Sequence, residues 1–221
     1  MAKTAVLIGA TGLVGGHCLE QLLASPAYDR VVAVARRAIP LAHEKLSVLT
    51  GPFDQLGQLL ANLRADDAFC CLGTTIRQAG TKAEFHKVDY GYAYEFAHRL
   101  RGNGATHLLL VSALGADAKS PVFYSRVKGL LEKDVQALCY PRLSVFRPSF
   151  LVGERSQQRM GEAVGIQVSG LVAPLLRGPL RALHPIPGAE VAAAMVAAAN
   201  LAGPVGRQVY RYQEMQALLA K

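Results

Sequence analysis

A serine, a tyrosine and a lysine in the middle of the chain have the types and spacing for proton transfer to an oxygen atom. Tyr124 and Lys128 are four residues apart in "YSRVK", so a helix would place them on one face, and Ser112 precedes them. A tyrosine donates a proton poorly at neutral pH because its ordinary pKa is near 10, and a neighbouring ammonium group favours its phenolate form. The set predicts Tyr124 as acid and base, Lys128 as its activator, and Ser112 as the hydroxyl that holds a carbonyl oxygen. Each residue alone also has an ordinary structural explanation.

Three glycines near the amino terminus are spaced for binding a diphosphate. In "GATGLVG" they follow an apolar run and precede a helical pattern. Gly9 would turn the chain off a strand, Gly12 would let a pyrophosphate approach the backbone, and Gly15 would let the helix pack on the sheet. The motif predicts a dinucleotide at a helix start, and the alternative is a purely structural turn. The predicted cofactor contacts in this turn are Gly9, Thr11, Gly12, Leu13, Val14 and Gly15.

The end of the second apolar run decides which dinucleotide is expected. An acidic residue here would bind the ribose 2′-hydroxyl of NAD, but the run ends in "AVARR". Arg36 and Arg37 offer guanidinium groups that match the additional phosphate of NADP. We therefore expect NADP (NADPH) in preference to NAD, with Arg36 as the main contact. The alternative is that one or both arginines are solvated residues at a strand end.

The order of elements predicts the scaffold that positions these residues. Segments with apolar residues three and four apart predict helices between apolar runs that predict strands. Because strands that are apolar throughout lie in a parallel sheet covered on both faces, the predicted fold class is α/β, a doubly wound parallel sheet of the Rossmann type. The six predicted strands are "TAVLIG", "RVVAVAR", "LSVLTG", "DDAFCCLG", "THLLLVSA" and "RLSVFRP".

The alternation weakens after about residue 148, where proline and glycine interrupt the chain. We expect residues 1–221 to form a single NAD(P)-binding domain, with residues 150–190 as a small irregular carboxyl-terminal elaboration on the substrate side. The alanine-rich "EVAAAMVAAAN" predicts a further helix that packs on the sheet.

Composition and charge argue against several other classes of protein. The net charge of +8 comes from basic residues spread along the chain, so we expect no nucleic-acid partner. No apolar stretch reaches the roughly 18 residues that span a membrane, and the first strand leaves no room for a targeting segment, so we expect a cytoplasmic location. The histidines lack HxH or HExxH spacing and the cysteines lack CxxC pairs, so no metal is expected.

Taken together, these motifs give a chain that resembles the short-chain dehydrogenase/reductase superfamily over nearly its whole length. The resemblance is carried by "GATGLVG", Ser112 and "YSRVK", while "CCLGTT" and "FRP" are similar to the atypical branch that contains the Tat-interacting proteins. It implies that Leu72, Gly73 and Thr74 lie along the cofactor and that Pro148 contacts the nicotinamide through its backbone. Tyr124 and Lys128 would contact the cofactor as well.

Two positions depart from that pattern. Pro52 stands where many relatives carry an acidic residue that meets adenine, so Phe53 or Asp54 must compensate, and Phe53 is taken as the contact. Asp89 lies where superfamily members often have an asparagine. A proton relay of the usual kind is therefore not assumed, and a purely structural role for Asp89 stays open.

These features predict an NADP-dependent oxidoreductase that moves a hydride between nicotinamide and a carbonyl or alcohol of a small organic substrate. One alternative is an NADPH-binding regulatory or sensor protein without turnover, which the intact set of Ser112, Tyr124 and Lys128 argues against. A second is an NAD(P)-dependent epimerase or dehydratase, whose carboxyl-terminal domain is usually larger. The resemblance implies pairing through long helices next to the sheet, so a homodimer is an open option.

Overall fold

A seven-stranded parallel sheet forms the centre of the computed structural model, which describes residues 3–153 and 184–220. Its strands lie in the order β3-β2-β1-β4-β5-β6-β9, and β7 and β8 form a separate parallel pair. This order confirms the predicted doubly wound fold, with a change of direction between β1 and β4 that opens a crevice at their carboxyl ends. The strands are β1 (Lys3–Ile8), β2 (Tyr28–Ala35), β3 (Leu46–Thr50), β4 (Asp67–Cys70), β5 (His107–Val111), β6 (Arg142–Phe146), β7 (Leu151–Val152), β8 (Ile186–Pro187) and β9 (Gly206–Tyr210).

Helices cover both faces of this sheet. A π-helical turn (Lys87–Tyr92) joins α4 and α5 into one continuous helical segment, and a 3-10 turn (Phe53–Gln55) precedes α2. The helices are α1 (Leu13–Ala24), α2 (Leu56–Leu59), α3 (Ile76–Ala79), α4 (Lys82–His86), α5 (Ala93–Gly102), α6 (Phe123–Ala137), α7 (Gly188–Asn200) and α8 (Tyr212–Leu219). None of those found in the described ranges is long and apolar enough to cross a membrane.

The two-sided core follows from the period of the strands. Ala5 and Leu7 of β1 join a cluster with α1 and α7, whereas Val6 and Ile8 join a cluster with α5 and α6. Successive side chains of a strand point to opposite faces, so a strand covered on both sides must be apolar at every position. This explains the apolar runs of β1, β2, β4, β5 and β6, and the edge strand β3 also keeps an apolar run although it is only half-buried.

The described carboxyl-terminal part contains three strands that the sequence pattern does not predict, the short pair β7 and β8 and the longer β9. Strand β9 pairs with β6 at the edge of the sheet, where its residues are half-buried or exposed, so "GRQVY" has no need of a continuous apolar run. The predicted alanine-rich helix is α7, which packs against α1 over the sheet. Of the predicted elaboration at residues 150–190, residues 154–183 lie outside the described part of the chain.

Candidate functional site

The glycine-rich turn between β1 and α1 has a geometry that only glycine fits. Gly9 has a φ of +88°, and a Cβ built on it would lie 2.6 Å from the carbonyl carbon of Cys71 in the loop after β4. A Cβ on Gly15 would lie 2.0 Å from the Gly9 carbonyl oxygen. Gly12 begins α1 with no side-chain cap, and no acidic residue lies in the first turn. The turn therefore presents the helix start to the crevice as a cradle for an anion.

The other residues predicted to bind the cofactor here are oriented in two ways. Thr11 and Gly12 are exposed at the mouth of the turn, whereas the Val14 side chain is buried in the core. Leu13 packs against Gly188, where a Cβ would lie only 2.7 Å from the Leu13 Cγ. Leu13 and Val14 therefore offer their backbone amides to this edge while their side chains hold α1 in place.

The arginine pair lies at the neighbouring strand end. Arg36 and Arg37 are both exposed, and the Arg36 guanidinium lies 5.7 Å from the centre of the buried Phe53 ring. Asp54 instead pairs with Lys87 at 2.8 Å and accepts a hydrogen bond from Tyr92. The hydrogen bond from Lys87 lowers the pKa of Asp54. Of the two residues expected to compensate for Pro52, Phe53 is thus the one next to Arg36.

A buried ion pair lies between the loop after β4 and α6. Lys128 Nζ is 2.7 Å from Asp89 Oδ1, and Asp89 Oδ2 accepts a hydrogen bond of 2.8 Å from the Thr74 backbone amide. Gly73 borders the pair, since a Cβ on it would lie 3.8 Å from both Lys128 Nζ and Asp89 Oδ1. Burial alone would lower the pKa of Lys128, but the charges of Asp89 and Tyr124 outweigh it and raise that pKa. The lysine is therefore held as an ammonium group.

Asp89 reaches this position because of the π-helical turn. The apolar spacing predicts one helical face through Phe85, Val88, Tyr92 and Phe96, and the extra residue of the turn shifts that face. Asp89 is fully buried as a result, whereas Val88 and Tyr92 are only half-buried. Such turns within α-helices are frequent at functional sites. The resemblance draws attention to position 89, because superfamily members often have an asparagine there. It does not predict that Asp89 contacts Lys128.

Tyr124 lies in the first turn of α6 beside a cavity. Its ring packs at 5.5 Å, centre to centre, against the buried ring of Phe85. Helix α6 comes close to the loop before it, because a Cβ on Gly129 would lie 2.1 Å from the backbone of Asp117 and Ala118. The cavity has a volume of about 310 Å³. The described residues that line it are Ala113, Leu114, Tyr124, Ser149 and Phe150.

Ser112 lies at the end of β5, as expected, but its side chain is directed elsewhere. Its hydroxyl donates a 2.5 Å hydrogen bond to Glu132 Oε1, and both residues are buried. The neighbouring Ala113 lines the cavity instead. The structure thus brings Tyr124, Lys128, Asp89 and the glycine turn to one edge of the sheet. Ser112 does not join them, because its side chain bonds to the buried Glu132. The sequence reasoning missed Glu132.

Pro148, the last predicted contact, closes the same edge of the sheet. It is buried, and its carbonyl oxygen accepts a hydrogen bond of 2.8 Å from the Leu114 amide. This bond ties the segment after β6 to the segment after β5, so both lie beside Tyr124. Within residues 3–153 and 184–220, no group of three or more side chains that could hold a metal ion occurs.

Comparison with known protein families gives a match over about three-fifths of the chain, in its amino-terminal part. Residues 9–140 match the family described as NAD(P)H-binding. The matched range starts at Gly9 and includes the arginine pair, Asp89, Tyr124 and Lys128. The family model thus covers both the glycine turn and the buried ion pair.

Curated relatives match between 72% and 89% of the chain. Protein FMP52-1, mitochondrial, from Scheffersomyces stipitis is 35% identical over 209 residues, which are 89% of this chain and 88% of the relative. HTATIP2 from Rattus norvegicus is 34% identical over 164 residues, which are 72% of this chain and 67% of the relative. These relatives confirm the predicted resemblance to the atypical branch of the short-chain dehydrogenases/reductases.

The same relatives correct one prediction. The expected cytoplasmic location is wrong by this comparison, because the fungal relatives are named as mitochondrial proteins. The expectation rested on composition and on the short stretch before β1. Neither of those features identifies the compartment in which a folded α/β protein works.

Solved structures agree on the fold at low sequence identity. MoeE5 in complex with UDP-glucuronic acid and NAD superimposes with a TM-score of 0.69 at 18% identity, covering 93% of this chain and 75% of that one. The UDP-glucose 4-epimerase of Thermotoga maritima gives a TM-score of 0.67 at 14% identity, covering 98% and 82%. At such identities the likeness establishes the Rossmann-type fold alone.

Proposed function

The chain belongs to the NAD(P)H-binding family, within the atypical branch of the short-chain dehydrogenases/reductases, and we propose that it is an NADP-dependent oxidoreductase. In this proposal a hydride moves between nicotinamide and a carbonyl or alcohol of a small organic substrate. The observation that carries the proposal is the placement of Tyr124 beside a cavity, with the Lys128 and Asp89 pair buried close by. Proton transfer to an oxygen atom is the chemistry that a tyrosine next to a fixed ammonium group performs well.

The glycine turn fits the dinucleotide that the family binds. The backbone of Gly9, Gly12 and Gly15 forms a concave surface. A Cβ at Gly9 or Gly15 would fill it, and the uncapped start of α1 faces it. These residues would hold the diphosphate through backbone amides. When bound, the nicotinamide supplies or accepts the hydride.

The protein's own residues would manage the proton. The Tyr124 hydroxyl would donate to the substrate oxygen during reduction and take the proton back during oxidation. Lys128 would stabilise the phenolate, and Asp89 would keep Lys128 charged and in place despite its burial. Asp89 also holds the Thr74 amide, which fixes the loop after β4 relative to α6.

The preference for NADP is supported by the strand end next to the glycine turn. Two exposed guanidinium groups lie there, and the Arg36 group stands over the Phe53 ring. A planar adenine next to Phe53 would leave the 2′-phosphate on the attached ribose within the field of both arginines. No acidic side chain follows β2 where the ribose of NAD would need one.

Binding and turnover can be tested separately. NADPH and NADH are titrated against the protein by fluorescence, and the absorbance of the reduced nicotinamide is then followed with a panel of aldehydes, ketones and quinones. We expect tighter binding of NADPH, turnover of at least one carbonyl, and a loss of about 10²-fold or more in kcat for Tyr124→Phe at unchanged NADPH affinity. Tight NADPH binding with no turnover in either direction would favour a sensor protein instead.

A further inference from the structure

A buried carboxylate on α6 carries a further inference, which rests on the proposed function. Glu132 lies on the face of α6 that also bears Tyr124 and Lys128, since the three are spaced by four residues. The side chain of Glu132 is 3% exposed. A carboxylate at that depth must have its charge compensated by neighbouring groups.

Two arginines and one serine supply that compensation. Oε1 of Glu132 accepts hydrogen bonds from the Ser112 hydroxyl at 2.5 Å and from Arg147 Nε at 2.9 Å. Oε2 accepts from Arg147 Nη2 at 2.6 Å and from Arg207 Nη2 at 2.5 Å. An ionised carboxylate only accepts, and a serine hydroxyl has a single proton to give. The proton of Ser112 is therefore committed to Glu132.

The backbone around Ser112 directs the next residue into the cavity. The Ser112 amide bonds to the Phe146 carbonyl oxygen, and the Leu114 amide bonds to that of Pro148. Between these two anchors the chain is extended, so consecutive side chains point to opposite sides. With Ser112 on the Glu132 side, Ala113 lines the cavity. A methyl group thus occupies the place beside Tyr124 where a hydroxyl was expected.

The second hydroxyl of the cavity wall is committed as well. Ser149 donates to the backbone carbonyl oxygen of His184. Among the described residues that line the cavity, Tyr124 is left with a side-chain donor that no described residue accepts. Tyr124 is therefore the group free to donate to a substrate oxygen.

We propose that Glu132 is a positioning residue, which holds Ser112 out of the cavity and leaves Tyr124 as the donor to the substrate oxygen. Through Ser112, Arg147 and Arg207, Glu132 ties the end of β5, the end of β6 and the strand β9 to α6. The wall formed by Ala113 and Leu114 is thereby fixed relative to Tyr124. Ser112 acts through Glu132 and does not touch the substrate.

The proposal is tested with NADPH and 9,10-phenanthrenequinone as the probe pair. Ser112→Ala and Glu132→Gln should each lower kcat by about three- to tenfold. The double variant should lower kcat no further, because both substitutions break the same hydrogen bond between Ser112 and Glu132. Loss of a hydrogen-bond donor to the reacting oxygen costs about 10²–10³-fold in comparable sites. Ala113→Ser, which adds a hydroxyl to the cavity wall, should raise kcat by about tenfold. The NADPH dissociation constant should stay unchanged in all of them.

Two results would overturn the proposal. One is a loss of about 10²-fold or more in kcat for Ser112→Ala at unchanged urea unfolding and NADPH affinity, since Ser112 would then reach the substrate. The other is an Ala113→Ser variant whose kcat does not rise. Should Glu132→Gln fail to fold, Arg207→Gln removes only the outer of the two guanidinium groups, and it should lower kcat in the same direction by a smaller factor.

A separate outcome concerns the proposed function alone. If the wild type and Ala113→Ser bind NADPH but neither reduces any carbonyl, the oxidoreductase proposal fails. The role of Glu132 is then decided by urea unfolding of the two single variants and the double variant. Coupling of about tenfold in the unfolding constant would support the Ser112 contact, and additive effects would overturn it.

Discussion

Asp89 Oδ1 lies 2.7 Å from Lys128 Nζ, with the two side chains 0% and 3% exposed. A charge at this depth is tolerated only when a partner of opposite sign lies against it. The pair joins the π-helical turn after α4 to the middle of α6, and its Thr74 contact extends it to the loop after β4. Asp89 therefore links the predicted cofactor loop to the predicted catalytic helix.

Asp89→Asn is expected to shift the pH dependence of turnover. An asparagine can still accept from the Thr74 amide, but it removes the charge that raises the pKa of Lys128. Burial then lowers that pKa, so Lys128 loses its proton at a lower pH and no longer stabilises the Tyr124 phenolate. The alkaline limb of the kcat/KM profile should therefore move toward neutral pH.

The control for this shift is Glu95→Gln. It breaks the more exposed pair of Glu95 with Arg99 on α5, which is worth about 0.3–0.5 kcal/mol. Its pH profile should match that of the wild type. An Asp89→Asn profile with an unmoved alkaline limb would show that Lys128 does not control the active form of Tyr124.

Arg36→Gln should reduce discrimination between the two nicotinamide cofactors. A charge-assisted hydrogen bond is worth about 1.5–3 kcal/mol, so the NADPH dissociation constant should rise about 10- to 100-fold, while that for NADH changes little. Arg30→Gln serves as the control, because Arg30 is an exposed arginine of β2 near the opposite edge of the sheet. Equal losses for both cofactors would assign Arg36 to general electrostatic attraction.

The sequence predicted the scaffold well because the signals were local and periodic. Each of the strands β1 to β6 is an apolar run, and the turn after β1 requires glycine for steric reasons that the spacing already shows. Strand β9 was missed because it has large apolar side chains only at Val209 and Tyr210, whereas the other edge strand, β3, keeps the run "LSVLT" although it is only half-buried. The fold could therefore be predicted wherever a strand keeps a continuous apolar run.

The site was harder to predict because side-chain direction decides it. Spacing brings Tyr124 and Lys128 to one face of α6, but it does not show that Asp89 turns inward at a π-helical turn. It also does not show which side of the chain Ser112 faces. Consecutive side chains point to opposite sides, so a shift of the strand by one residue would place Ser112 in the cavity and Ala113 against Glu132. Pairings between elements far apart in sequence, such as Glu132 with Arg207, leave no local pattern.

Gly129→Ala should destabilise the protein strongly. The added Cβ would lie 2.1 Å from the backbone atoms of Asp117 and Ala118, so the backbone of α6 or of that loop must shift to make room for it. We expect a loss of about 3 kcal/mol or more in the free energy of unfolding, measured with urea. Gly102→Ala is the control, since nothing lies within 4 Å of its Cβ and alanine favours the helix by up to about 1 kcal/mol. A fully stable Gly129→Ala would mean that α6 packs less closely than described.

A second buried polar group, at the amino-terminal edge of the sheet, should make stability depend on pH. Asp67 is bonded to Lys3 and Tyr28, each at 2.7 Å, and lies 3.6 Å from His107, whose other ring nitrogen is 2.9 Å from the Ser144 hydroxyl. Burial lowers the pKa of His107, although the nearby negative charge of Asp67 opposes this. The imidazole is therefore neutral in the folded protein at neutral pH.

The sign of the pH effect follows from this shift. As the pH falls through about 6.5, the unfolded chain takes up a proton on His107 before the folded protein does, so the free energy of unfolding decreases. Its slope reaches at most about 1.4 kcal/mol per pH unit for one such group. His107→Gln should flatten the decline between about pH 7 and 5, measured by urea unfolding, whereas replacement of the exposed His43 should not. A wild-type stability that is constant over this range would contradict the buried neutral state of His107.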